Sequence, residues 1–105
     1  MTPDVILLML SIPDAHSIST ITTCKQELPE TQVIVLAADE DERHIFDSLK
    51  AGAIAYLLKT CFPAELIDAI SAAARGESKL PPRIAARMLH AMHHQTHAPF
   101  RVLTP

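Results

Sequence analysis

Six consecutive apolar residues, Val5 to Leu10, break off at Ser11-Ile12-Pro13-Asp14. A run that short, apolar at every position and closed by a proline turn, predicts a strand buried on both faces of a parallel sheet. The loop after such a strand leaves its carboxyl end, where open α/β sheets collect their functional groups. The residues around this loop therefore carry the functional question. One of them is Met9, at a place where a charge would be expected.

The rest of the chain supplies partners for that strand. Ser17–Leu28 carries Ile18, Ile21, Cys24 and Leu28 at helical spacing and ends before Pro29. Gln32–Ala38 is a second buried strand. Asp39–Glu42 is an acidic run at a helix start, favourable to the dipole and expected to be solvated. Ile45, Phe46 and Leu49 form that helix's inner face, and Gly52 stops it. Ala53–Leu58 is a third strand, with Lys59 and Thr60 at its carboxyl end. Pro63 suits the first turn of the next helix, which Leu66, Ile67, Ile70, Ala73 and Ala74 line and Gly76 closes. After the break Leu80-Pro81-Pro82, an amphipathic helix is expected over Arg83–His94. Its apolar face carries Ile84, Met88 and Met92, with Ala85 and Leu89 beside them. Strands alternating with helices at this spacing predict right-handed crossovers and a parallel sheet.

At 105 residues the chain makes one domain at most. The formal net charge of −3 gives no basic footprint for nucleic acid. The longest apolar run is too short for a membrane span, and Met1-Thr2-Pro3-Asp4 lacks the positive start of a signal peptide. Cys24 and Cys61 then read as reduced thiols of a cytoplasmic protein. His90, His93, His94 and His97 have metal-like spacing, but no nearby cysteine or carboxylate in sequence completes a site. No metal and no cofactor is expected.

The segments VILLMLSIPD, TQVIVLAADED, AGAIAYLLK and PAELIDAISAAARGESKLPP together resemble the receiver domain of NarL/LuxR-type two-component response regulators. The resemblance runs over roughly residues 3–90. Leu103-Thr104-Pro105 is similar to the tripeptide that opens the helix-turn-helix domain of that family. The implied fold is α/β: a flavodoxin/receiver-like, three-layer parallel sheet, truncated to three strands, with an extra C-terminal linker helix. The resemblance divides the chain into a partial receiver-like domain (1–79), a linker helix (80–98) and a tail (99–105) leading to a DNA-binding domain absent from this chain. The acidic pair that binds Mg²⁺ in receivers would precede residue 1.

Carried over residue by residue, the resemblance implies a degenerate phosphorylation site. The carboxylate nucleophile of receivers aligns with Met9, the hydroxyl residue of the next strand with Ala37, and a loop glycine with Ser17. The lysine that pairs with the phosphoryl group is kept as Lys59, and the aromatic switch position as Tyr56. A thioether has no acidic oxygen from which to form an acyl phosphate. Met9 would either fill the old acidic pocket and lock one conformation, or simply pack. The expected function is therefore a phosphorylation-incompetent regulatory or dimerisation domain that is not an enzyme. An alternative is a phosphorelay element that accepts its phosphoryl group on Asp14 or Asp39. The chain alone should bind neither DNA nor membrane, although its parent regulator would bind DNA. Its partners would be a second copy or another response regulator, met through the edge strand Val5, Ile6, Leu7, Leu8, Met9 and Leu10. The linker helix offers another way of covering that edge.

Overall fold

A computed structural model describes residues 4–10 and 15–95. Three parallel strands, β1 (Val5–Leu10), β2 (Gln32–Ala37) and β3 (Ala55–Leu58), lie in the order β1-β2-β3. Four helices accompany them: α1 (Ala15–Glu27), α2 (Glu42–Ala51), α3 (Pro63–Ala74) and α4 (Pro82–Gln95). This is the expected receiver-like α/β architecture. Element ends shift by one to three residues, β3 opening at Ala55 rather than Ala53 and α4 at Pro82 rather than Arg83. The tail 99–105, and with it Leu103-Thr104-Pro105, lies outside the described residues, as do Asp14 and His97.

Register decides which face each strand residue serves. Leu7 pairs with Ile34 and Met9 with Leu36, while Ile34 pairs with Ala55 and Leu36 with Leu57. Because strand side chains alternate, these residues share one face. There Ile34, Leu36, Ala55 and Leu57 pack on Ala69 and Ala73 of α3. The opposite face buries Val33, Val35, Ala37 and Tyr56 under Ile21 of α1, Ile45 of α2 and Ile84 of α4. Two helices of the chain's own crossovers plus α4 thus cover one side, and α3 alone covers the other.

Leu66, Ile70 and Ala73 of α3 pack against the sheet as expected, while Ile67 and Ala74 do not. Ala69, Ala72 and Ala73 are its buried residues, whereas Ala74 is exposed and Ile67 stands 61 % exposed. Small alanines let α3 sit close to the sheet, which turns Ile67 away from it. Leu89 of α4 is likewise exposed, and Ala91 is buried in its place.

Local chemistry fixes the junctions. Asp41 is the N-cap of α2, its carboxylate accepting the Arg43 amide at 2.8 Å. Gly52 ends α2 with φ at 126° and donates its amide to the Ser48 and Leu49 carbonyls. It is doubly required, because a Cβ there would come within 2.6 Å of Lys25 Cγ. Lys25 cannot easily yield: its ammonium donates to the carbonyls of Thr31 (2.9 Å) and Pro29 (3.2 Å), pinning the α1–β2 turn.

Candidate functional site

The carboxyl end of the sheet gathers the residues that the sequence singled out. Leu10, Ala37 and Leu58 stand in register across the three strands. Lys59 follows, its amide donating to the Ala37 carbonyl at 2.8 Å and its side chain exposed. Met9 lies one step back on the α3 face, while Ala37 and Tyr56 lie on the opposite face. The four site positions are therefore split between two faces. Met9 is 65 % exposed, so it does not fill a pocket. That exposure counts against the reading of Met9 as a plug that locks the site.

Tyr56 is fully buried, and its hydroxyl donates to the Asp39 carbonyl at 2.8 Å. Burial, joined by the negative charge of Asp39, pushes the phenol well above its ordinary range, so it stays a neutral donor. The Asp39 carboxylate accepts the Asp41 amide at 3.1 Å and meets His44 Nδ1 at 3.0 Å. Burial works to raise its pKa, but the bonds from His44 and the Asp41 amide outweigh that and hold it below the usual carboxylate value. Asp39 is thus an ionised carboxylate already occupied by local partners.

The acidic run is not the solvated helix start that its composition suggested. The Glu40 side chain is only 17 % exposed, and its Oε1 accepts from Arg83 and, at 3.1 Å, from Arg87. Glu42 meets His90 at 2.7 Å and Arg87 at 3.8 Å. The β2–α2 junction is therefore the seat on which α4 docks. The sequence carried a signal for this: Arg83, Arg87 and His90, spaced by four and three, make one charged stripe along a helix. The expectation that His90 lacks a neighbouring carboxylate is also corrected, since Glu42 comes from a distant element. Among the described residues no group of three or more His, Cys, Asp or Glu could hold a metal ion.

Both cysteines are free thiols. Burial, with the Glu65 carboxylate beside it, pushes the Cys61 thiol up, away from the reactive thiolate. No helix among the described residues is long and apolar enough to cross a membrane.

A second surface lies at the β1 edge. β1 pairs only with β2 among the described strands. On the α3 face beside it, Leu7 is 41 % exposed, next to Met9. α4 does not close this edge, since it packs on α2 and reaches the other face through Ile84.

Comparison with known proteins agrees with this geometry. Residues 1–71 match the response regulator receiver domain family. The chain is 39 % identical over 99 residues to the uncharacterized transcriptional regulatory protein YxjL of Bacillus subtilis (strain 168), with 91 % of this chain and 45 % of that protein covered. A LuxR family DNA-binding response regulator from Silicibacter pomeroyi superposes with a TM-score of 0.66 at 29 % identity, over 79 % of this chain and 61 % of that one. RcsB, solved as two dimers bound to two parallel DNAs, shares the fold with a TM-score of 0.70 at 23 % identity, over 85 % of this chain and 46 % of that one. The chain thus spans about half the length of the curated relatives it matches. It belongs to the response regulator receiver domain family, in the LuxR-type branch that serves two-component signalling.

Proposed function

We propose that this chain is a receiver-like regulatory domain that no longer accepts a phosphoryl group and works by association. Residues 1–79 act as the receiver-like body and 80–98 as the linker helix, with 99–105 leading to a DNA-binding domain in a longer parent. The partner is a second copy of the chain or another response regulator of the cytoplasm. The domain is not an enzyme.

The observation that carries the reading is Met9. The position aligned with the receiver nucleophile holds an exposed thioether, and Ala37, aligned with the hydroxyl that would hold the phosphoryl group, holds a buried methyl. Neither group can form or bind an acyl phosphate. Lys59 alone supplies a charge without the oxygen ligands that Mg²⁺ requires. Association is supported by the same region. An uncharged six-residue edge strand with Leu7 and Met9 exposed on it lacks the charges, prolines and bulges that ordinarily blunt such edges. Two β1 strands meeting about a two-fold axis would form a continuous six-stranded sheet and bring the two α3 faces together. RcsB is a dimer on DNA in its solved structure, and the parent regulator of this chain is proposed to bind DNA in the same general way.

The chemical half of the reading is tested with acetyl phosphate and Mg²⁺ followed by intact mass. The expected spectrum has no added phosphoryl group. A stable single adduct would favour a phosphorelay element with Asp14 or Asp39 as acceptor. For Asp39 this would require its carboxylate to leave both His44 and the Asp41 amide.

A further inference from the structure

The ion pairs between α2 and α4 join residues 43 to 48 positions apart in the chain, and they converge on a single sheltered carboxylate. Glu40 takes two guanidinium groups on one oxygen, Oε1, while its Oε2 is enclosed without a hydrogen-bond partner among the described atoms. Charge-assisted bonds to a carboxylate withdrawn from water are stronger than exposed surface pairs. Removing the cations would also leave a sheltered charge uncompensated. Glu42 extends the network through Arg87 and His90. Beneath it, Ile84 and Met88 of α4 close over Ile45 and Tyr56.

The segment that carries Glu40 is itself tied to the carboxyl end of the sheet. The Tyr56 hydroxyl holds the carbonyl of Asp39, the residue immediately before Glu40. The Asp39 carboxylate holds the Asp41 amide, immediately after it, and His44 one turn further on. Glu40 therefore sits between two fixed points. Its position cannot change without a change in the loop that borders Ala37 and Lys59.

We propose that Glu40 is a latch that couples the β2–α2 loop to the linker helix. With the loop held by Tyr56 and Asp39, Glu40 grips Arg83 and Arg87, and α4 stays docked over Ile45 and Tyr56. Displacement of the loop withdraws Glu40 and frees α4 as a unit. The helix that leads towards the tail thereby reports the state of the sheet's carboxyl end. By linkage, capture of free α4 by a partner would loosen the loop to the same degree. This coupling is independent of phosphoryl transfer and of association through β1.

The test is backbone hydrogen exchange on the full chain at fixed pH, reading α4 against α3 as an internal reference. Glu40→Gln should speed exchange of the α4 amides by about ten-fold and leave α3 unchanged. Arg83→Gln with Arg87→Gln should do at least the same, and adding Glu40→Gln to that pair should speed α4 exchange no further, because the Glu40 interaction is already gone. Tyr56→Phe should also speed α4 exchange several-fold, since it unties the loop without removing a charge or the ring. Unchanged α4 exchange in Glu40→Gln overturns the proposal. So does an equal rise in α3, which would mean general destabilisation, and so does an additive triple variant. A Tyr56→Phe chain whose α4 exchanges like the wild type overturns the coupling.

Discussion

The two faces of the sheet are built from the same three strands and have opposite fates. Under α1, α2 and α4, the residues Ile21, Val33, Val35, Ala37, Ile45 and Tyr56 are almost completely withdrawn from water. Under α3, burial is confined to the middle of the sheet, around Ile34, Leu36, Ala55 and Leu57. Towards β1 the same face opens at Leu7 and Met9. Alternation makes both sides of β1 equally apolar, so hydrophobicity does not separate them. The number of helices laid on each face does. Burial is concentrated on the closed side.

The largest expected effect sharpens this difference. Ile45→Ala on the closed face should lower unfolding free energy by about 2–5 kcal/mol. Ile67→Ala on the solvent side of α3 should change it by less than about 0.5 kcal/mol. Urea unfolding of the two variants at a concentration where the chain is monomeric measures the contrast. Similar losses at both sites would erase it.

Gly52 comes next, because it sets where α2 turns back into the closed face. Gly52→Ala meets both a positive φ and the Lys25 side chain, and should cost about 1–3 kcal/mol. Adding Lys25→Ala should not restore wild-type stability, because the backbone conformation still disfavours a Cβ and Lys25 also holds the Pro29 and Thr31 carbonyls. Full recovery in the double variant would show that contact alone, not φ, demands glycine.

Tyr56→Phe tests the polar point buried in the closed face and should cost about 1 kcal/mol through the orphaned Asp39 carbonyl. A pH titration isolates the same group. Tyr56 is raised above its ordinary value in the fold. As pH climbs past about 10, the unfolded chain therefore releases a proton that the native state keeps. Stability is full below that pH and falls above it, by at most about 1.4 kcal/mol per pH unit from this group. The Phe variant should lose that part of the alkaline slope. The smallest effect belongs to the open face: Met9→Thr should leave monomer stability within about 0.5 kcal/mol by thermal unfolding.

The strands, their order along the chain and the residues that end each helix were legible in the sequence, because short apolar runs, Gly52 and Pro63 act locally. The division of faces was legible only in part. The apolar spacing of α3 admitted Ile67 and Ala74 to its inner stripe, yet Ala69 and Ala72 are the ones buried beside Ala73. The choice depends on how closely the helix approaches the sheet, which periodicity does not encode. The acidic run Asp39–Glu42 read as solvated because its cations lie more than forty residues away. A pairing of that range becomes visible only when α4 is laid on α2. Tyr56 was recognised as a position but not as a buried donor, since its acceptor is a backbone carbonyl that no sequence pattern marks. At Met9 the chemistry was plain from the residue itself, while its exposure followed from what stands beside β1.

Under the proposed function, the open β1 edge is closed by a partner, most simply a second copy. Light scattering across a range of concentrations tests this, with the wild-type chain beside Met9→Glu. The mass should rise to that of a dimer in the wild type and stay at the monomer in Met9→Glu, with both chains equally folded. A wild-type chain that remains monomeric at every concentration, with its β1 amides freely exchanging, would contradict it.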